Sequence, residues 1–238
     1  MGTNHIKAVF FDAADTLFKV KGGVGNVYWT VAEKYGADST PERIQAAFSK
    51  AFKSAPPLTF ADFSPEERKV YEKKWWYNVV RDVFEEVGMF ERFDNYFDKL
   101  FETFRTKAWE LFPETKDVLS SVKKRGLILG IISNFDTRVY DVCSDLEIIE
   151  YFDSIVISSE AGFAKPSPEI FSLALDMNKV TPAECIHVGD SLEHDVYGAG
   201  SVGIGAILLD KKGKYKDRND VRRIENLTEI MRFVDGND

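Results

Sequence analysis

The sequence predicts an α/β fold: a doubly wound, Rossmann-like parallel sheet that carries an inserted all-helical domain. Three observations predict it. Short β-branched runs recur along the chain, and runs that are continuously apolar rather than alternating suit strands covered on both faces, as in a parallel sheet. Segments of helical pattern separate them, and that alternation marks a doubly wound sheet. Finally, composition breaks sharply at 19–109, which holds all four Trp, 10 of 19 Phe and 5 of 9 Tyr but only one Ile, Ile44.

The first strand is read at 6–11. From Asp12 to Gly126 the chain is far too long for a simple crossover, so most of it must be an insertion. We therefore assign 1–18 and 110–238 to the sheet domain and 19–109 to the insert. At its start, 19–27 contains Gly22, Gly23 and Gly25 and reads as a hinge or lid strand, or as a linker into the first helix. Thr40-Pro41-Glu42 opens one helix, and Ser64-Pro65-Glu66-Glu67 opens another as a capping box with Pro at the first helical position. Trp76, Val79, Val80, Val83, Phe84 and Val87 then follow a 3.6-residue repeat, as do Phe90, Phe93, Phe97 and Phe101. Such an aromatic stripe reads first as core. Beyond the insert come a helix at 114–125 ending at Gly126, a strand at 127–132, a helix at 137–147 and a strand at 154–157. A helix opening at Pro168 follows, then strands at 185–188 and 205–209. The basic run 211–218 reads as a solvated loop.

With 238 residues, 44% of them hydrophobic, the chain can bury one large core or two smaller ones. Its 31 basic against 39 acidic residues give a formal charge of -8, which argues against nucleic acid or a membrane as partner. No apolar run is long enough to span a bilayer. The N-terminal segment lacks a signal-peptide layout, so a cytoplasmic location is expected. Cys143 and Cys185 have no metal-ligand spacing and read as buried thiols.

Ligands of an open parallel sheet bind beyond the carboxyl ends of its strands. Those ends carry Asp12, then Ser133-Asn134, then Gly189-Asp190 with Asp195 five residues on; Lys165 follows the third strand. Each alone is commonly a turn, cap or surface residue. Together they aim carboxylates, a hydroxyl and an ammonium at one crevice.

These residues also carry a resemblance. Phe11-Asp12-Ala13-Ala14-Asp15-Thr16-Leu17, Ile131-Ile132-Ser133-Asn134, Lys165-Pro166-Ser167-Pro168 and Gly189-Asp190-Ser191 through Asp195-Val196-Tyr197-Gly198-Ala199 resemble the four ordered motifs of the haloacid dehalogenase-like (HAD) hydrolase superfamily. The insert stands where that superfamily places its helical C1-type cap. Trp75-Trp76-Tyr77-Asn78-Val79-Val80 and Ser133-Asn134-Phe135-Asp136 are similar to the subgroup of the rhythmically expressed gene 2 protein. The resemblance implies a phosphatase in which Asp12 is the nucleophile, forming an aspartyl-phosphate. It implies Mg2+ held by Asp12, the Ala14 backbone carbonyl and Asp190. Ser133 and Asn134 would contact the phosphoryl group, and Lys165 would neutralise its charge. Asp195 would hold a water or Lys165 from outside; capping the helix near Glu193 is the competing role. The partner implied is a small phosphorylated metabolite, while the sequence leaves the oligomeric state open.

One position departs from the pattern. Phosphatases of the superfamily carry a second Asp two residues after the nucleophile, as general acid and base; here that position is Ala14. Asp15 is not expected to replace it, and Glu193 and His194 are weak substitutes. The loss favours substrates with good leaving groups. Two alternatives stand beside the phosphatase: a low-turnover protein that binds a phosphate ligand or a partner, and a C–X bond hydrolase of the 2-haloacid dehalogenase or phosphonate hydrolase type.

Overall fold

The computed structural model describes residues 5–235; residues 1–4 and 236–238, assigned above to the sheet domain, lie outside them. The chain enters through β1 (Ala8–Phe11) and leaves the sheet by β2 (Phe18–Val20). Four helices follow: α1 (Val24–Ala32), α2 (Pro41–Ser54), α3 (Pro65–Val87) and α4 (Phe93–Thr103). It returns by β3 (Trp109–Leu111) and α5 (Thr115–Lys124), then continues through β4 (Ile128–Ser133), α6 (Arg138–Asp145), β5 (Ser154–Ile157), α7 (Ser158–Ala161) and α8 (Pro168–Asn178). The last part is β6 (Cys185–Gly189), a π-helical turn at Leu192–Tyr197, α9 (Gly198–Ser201), β7 (Gly205–Leu209), β8 (Arg222–Ile224) and α10 (Ile230–Val234).

Six strands pair in parallel in the order β5-β4-β1-β6-β7-β8. The chain winds outward from β1 through β4 to β5, then crosses back to β6, β7 and β8, so the order reverses at β1. That reversal opens a crevice at the carboxyl ends of β1, β4 and β6. Side-chain alternation explains the continuous apolar runs. Val9 and Phe11 enter one core while Ala8 and Phe10 enter the core on the opposite face.

The insert has a core of its own, built on Tyr28, Ile44, Val83, Phe84, Tyr96 and Phe97. Both expected helix starts are present: the Ser64 and Glu67 capping box closes reciprocally, and Thr40 Oγ1 accepts from Arg43 N at 3.4 Å. It is not helical to its ends, however. β2 and β3 pair antiparallel, with Lys19 opposite Glu110, so the two crossings of the chain form a ribbon. Strand pairing across that sequence separation leaves no local periodicity to read.

Two other expectations change. β8 was not anticipated, because an Arg-Arg-Ile edge strand carries no apolar run. The basic run 211–218 is half-buried to exposed, in keeping with a solvated loop, but its first residue is tethered: the Lys211 ammonium lies over the Phe112 ring and donates to the Thr16 carbonyl at 3.2 Å. Cys143 and Cys185 are buried free thiols, as expected. No helix among the described residues is long and apolar enough to cross a membrane.

Candidate active site

Each strand end delivers its residue to the crevice. Asp12 follows β1 directly, and its backbone N–H donates to Val188 of β6 at 2.9 Å, continuing the ladder past the strand. Asp12 Oδ1 accepts from Ser133 Oγ at 3.0 Å and from Lys165 Nζ at 2.7 Å. Oδ2 accepts from none of the described residues, so the carboxylate is anchored by one oxygen only.

Lys165 is 4% exposed and would not tolerate burial as a lone charge. Its Nζ also donates to Asp195 Oδ1 at 2.5 Å. Desolvation opposes its charge, yet Asp12 and Asp195 outweigh that and raise its pKa, so it stays an ammonium. Asn134 fixes the backbone of the same residue: Oδ1 accepts from Lys165 N at 2.7 Å and Nδ2 donates to Lys165 O at 2.9 Å. The Asn134 amide, expected on the phosphoryl group, is therefore occupied in aiming Lys165.

Asp195 is 2% exposed. Besides Lys165 it takes His187 Nε2 at 3.0 Å and Ser191 N at 3.0 Å. Despite desolvation, Lys165 and His187 hold it below the usual carboxylate range. Of its two expected roles it performs the holding of Lys165, whereas the capping falls to Ser191, whose Oγ accepts from His194 N at 3.1 Å. A Cβ on Gly189 would lie 2.1 Å from Asp195 Cγ, which is why only glycine lets this carboxylate lie flat under the strand end. His187 was missed, since an inward His in a strand looks like any core residue. Because Asp195 only accepts, Nε2 carries the proton, and burial lowers the His187 pKa so that it stays neutral.

Asp190 stands exposed at the end of β6. Asp12, Asp190 and Asp195 each offer an oxygen within 4.8 Å of the others. Desolvation, then Asp12, Asp195 and Asp15, push Asp190 up to about 7. Lys165 is already engaged by the other two carboxylates, so this corner is under-neutralised, and a hard divalent cation fits its all-oxygen donors.

Ala14 is half-buried where a second carboxylate was considered, and Asp15 sits beside it at a φ of +63°, exposed. Both border a cavity that the insert shares with the segments after β1 and β4, where Asn134, the neighbour of Ser133, also lines it. Glu193 and His194 are exposed on the π-helical turn and do not line it.

A bridge between insert and sheet domain also escaped the sequence reading. Glu72 of α3, 2% exposed, accepts from Thr137 N at 3.1 Å and from Thr137 Oγ1. Trp76 Nε1 donates to Asp136 Oδ2, and Asp136 binds Arg138 in a fork through Nε and Nη2. The guanidinium lies over the Trp76 and Phe101 rings. Trp76 and Asp136 belong to the two segments that carried the finer resemblance, and they touch.

An open parallel sheet with a helical insert above its switch point, and an aspartate braced by a buried lysine at that point, defines a capped α/β hydrolase. The family profile described as haloacid dehalogenase-like hydrolase matches residues 6–203, and the chain belongs to that family. It is 32% identical over 219 residues to haloacid dehalogenase-like hydrolase domain-containing protein 3 of Danio rerio, covering 91% of this chain and 90% of that one. The rhythmically expressed gene 2 protein of Drosophila melanogaster is 24% identical over 221 residues, 88% of this chain and 85% of its own. Solved structures of the same fold include a phosphatase and L-2-haloacid dehalogenases. A HAD hydrolase of Bacillus subtilis bound to magnesium superposes with a TM-score of 0.77 at 17% identity, covering 97% of this chain and 99% of that one.

Proposed function

We propose that the protein is a Mg2+-dependent phosphatase of small phosphorylated metabolites, acting through an aspartyl-phosphate on Asp12. The observation that carries this reading is the Asp12 carboxylate, anchored at one oxygen by Ser133 and Lys165 and unengaged at the other. Asp12 attacks phosphorus, the leaving group departs with its electron pair, and water then hydrolyses the acyl phosphate to restore the carboxylate. Lys165 offsets charge on the equatorial oxygens, while the Ser133 hydroxyl turns to donate to one of them. Asp195 and Asn134 keep Lys165 aimed. Asp12, Asp190 and the Ala14 carbonyl would hold Mg2+, which supplies charge neutralisation between two anionic reactants.

No side chain at Ala14 can protonate a leaving oxygen, and such help is worth about 10²- to 10⁴-fold. Turnover should therefore favour acyl, aryl and anhydride phosphates over sugar phosphates. Release of phosphate from acetyl phosphate is expected with Mg2+, abolished by EDTA and by Asp12→Asn. Activity that persists in Asp12→Asn would refute the mechanism. The apolar cavity is compatible with a 2-haloacid dehalogenase as second reading, for which halide release from 2-chloropropionate is the assay. Retention of Asp190 beside Asp12 supports the phosphatase. A cytoplasmic location belongs to the same reading, supported by two buried, unpaired thiols.

A further inference from the structure

The cavity beside Ala14 has a volume of about 220 Å³, and its walls come mostly from the insert: Tyr28, Phe52, Trp76, Leu100, Phe101 and Phe104 are among them. A dry cavity of about 150 Å³ with aliphatic and aromatic walls already accepts benzene. Volume alone would admit a sugar as well, so the polarity of the walls decides. Their polar atoms are largely engaged within the protein. Trp76 Nε1 is bound to Asp136, Trp109 Nε1 to the Phe104 carbonyl at 2.8 Å, and the Asn134 amide to Lys165. Arg138 is tied to Asp136 through Nε and Nη2, which leaves Arg138 Nη1 and the Tyr28 hydroxyl as donors and the exposed Asp15 carboxylate, beside Ala14, as a charged acceptor on the lining. A hexose would bring several hydroxyls into this space, each losing its hydrogen bonds to water without a full replacement. An aromatic ring would instead find the edge-and-face surroundings that rings favour.

We propose that this cavity holds the leaving group, and that the substrate is the phosphate monoester of an aryl group. The inference rests on the phosphatase reading and names its substrate class. Two independent features agree on it. The walls select an aromatic body, and Ala14, itself part of those walls, leaves the reaction without a proton donor, which among phosphate monoesters a phenolic leaving group needs less than an alkoxide does. Asp12 forms the new P–O bond as the P–O(aryl) bond breaks; the electron pair stays on the phenolate oxygen, which takes its proton from solvent. Water then attacks phosphorus, and inorganic phosphate and the Asp12 carboxylate are regenerated.

The test measures binding and turnover separately on the full chain with Mg2+. Calorimetry compares phenylphosphonate with methylphosphonate, neither of which can be hydrolysed. At least tenfold tighter binding of phenylphosphonate is expected. Val24→Trp, which fills the cavity from the first turn of α1, should erase that gap. It should also lower kcat/KM for phenyl phosphate at least tenfold more than for acetyl phosphate. Equal binding of the two phosphonates, with acetyl phosphate still hydrolysed, would overturn the aryl inference and leave the phosphatase standing. A phenyl preference without phosphate release from any substrate would keep the cavity's role and refute the phosphatase. Binding of neither would overturn the aryl inference, and, if no phosphate is released from acetyl phosphate either, the phosphatase as well. If Val24→Trp does not fold, the phosphonate comparison on the unsubstituted protein decides alone.

Discussion

The sheet domain and the helical insert bury their side chains by different means. In the sheet domain, aliphatic residues of six parallel strands fill two cores, and the charged residues gather at the strand ends, where Asp12, Lys165 and Asp195 brace one another. In the insert the core is aromatic, with Phe84 against Phe90, Phe93 and Tyr96 and Tyr77 against Phe93 and Phe97. The contrast separates two tasks. Under the proposed function, the phosphoryl group would meet the braced charges at the strand ends and the leaving group the shaped surface of the packed helices.

The largest expected break in this division comes from Lys165→Met. It strands two buried carboxylates, and removing one partner of a buried ion pair costs about 3–5 kcal/mol. The thermal midpoint should fall by roughly 6–20 °C, and phosphate release should disappear. A variant as stable as the parent would show that Lys165 does not hold the strand ends together.

Ala14→Asp asks whether the core can recover the missing acid. The expected outcome is a gain of about tenfold or more in kcat/KM on glycerol phosphate, with less on phenyl phosphate, because proton donation helps the poorer leaving group more. An equal change on both substrates would count against the leaving-group account. Asp15→Asn in the same assay should have little effect, in keeping with its exposed position.

The smallest effect concerns the bridge between the two regions. Burial, then Asp136, raises the Glu72 pKa, while the Thr137 hydrogen bonds pull the other way. The folded protein therefore binds that proton more tightly than the unfolded chain, whose value is near 4.3. Its contribution to stability is present in full below that value and is lost as pH rises through the raised folded pKa. Glu72→Gln keeps hydrogen-bonding capacity toward Thr137 and should flatten the pH dependence of the unfolding free energy in that window. Parallel curves for the two proteins would show that Glu72 is not the responsible group.

How much of this was legible beforehand follows from the kind of signal each residue leaves. β1, β4, β5, β6 and β7 could be read because doubly covered strands are continuously apolar; β8 could not, being an edge strand of two arginines and an isoleucine. The helices that open at Pro41, Pro65 and Pro168 announced themselves by proline at the first helical position, the first two with a side-chain cap as well. Asp12, Ser133 and Asp190 could be placed beforehand because a strand end is a short, countable place, and Lys165 because it opens a motif in the loop after β5. His187 and Glu72 were not, because their importance comes from a partner distant in the chain, and Lys211 looked like one basic residue among several.

The sequence by itself determined the fold class, the place of the insert and the residues at the strand ends, since local periodicity, caps and motif order are properties of neighbouring residues. It also determined the absence of a carboxylate at position 14. Only the tertiary structure decided what the charges do to one another: that Asp195 holds Lys165 rather than capping a helix, that Asn134 aims Lys165, and that Trp76 and Asp136 join insert to sheet. It alone decided that the aromatic stripe is both a core and the wall of a cavity. Desolvation and pairing depend on which groups meet once the chain is compact, and that meeting is set by packing across long separations.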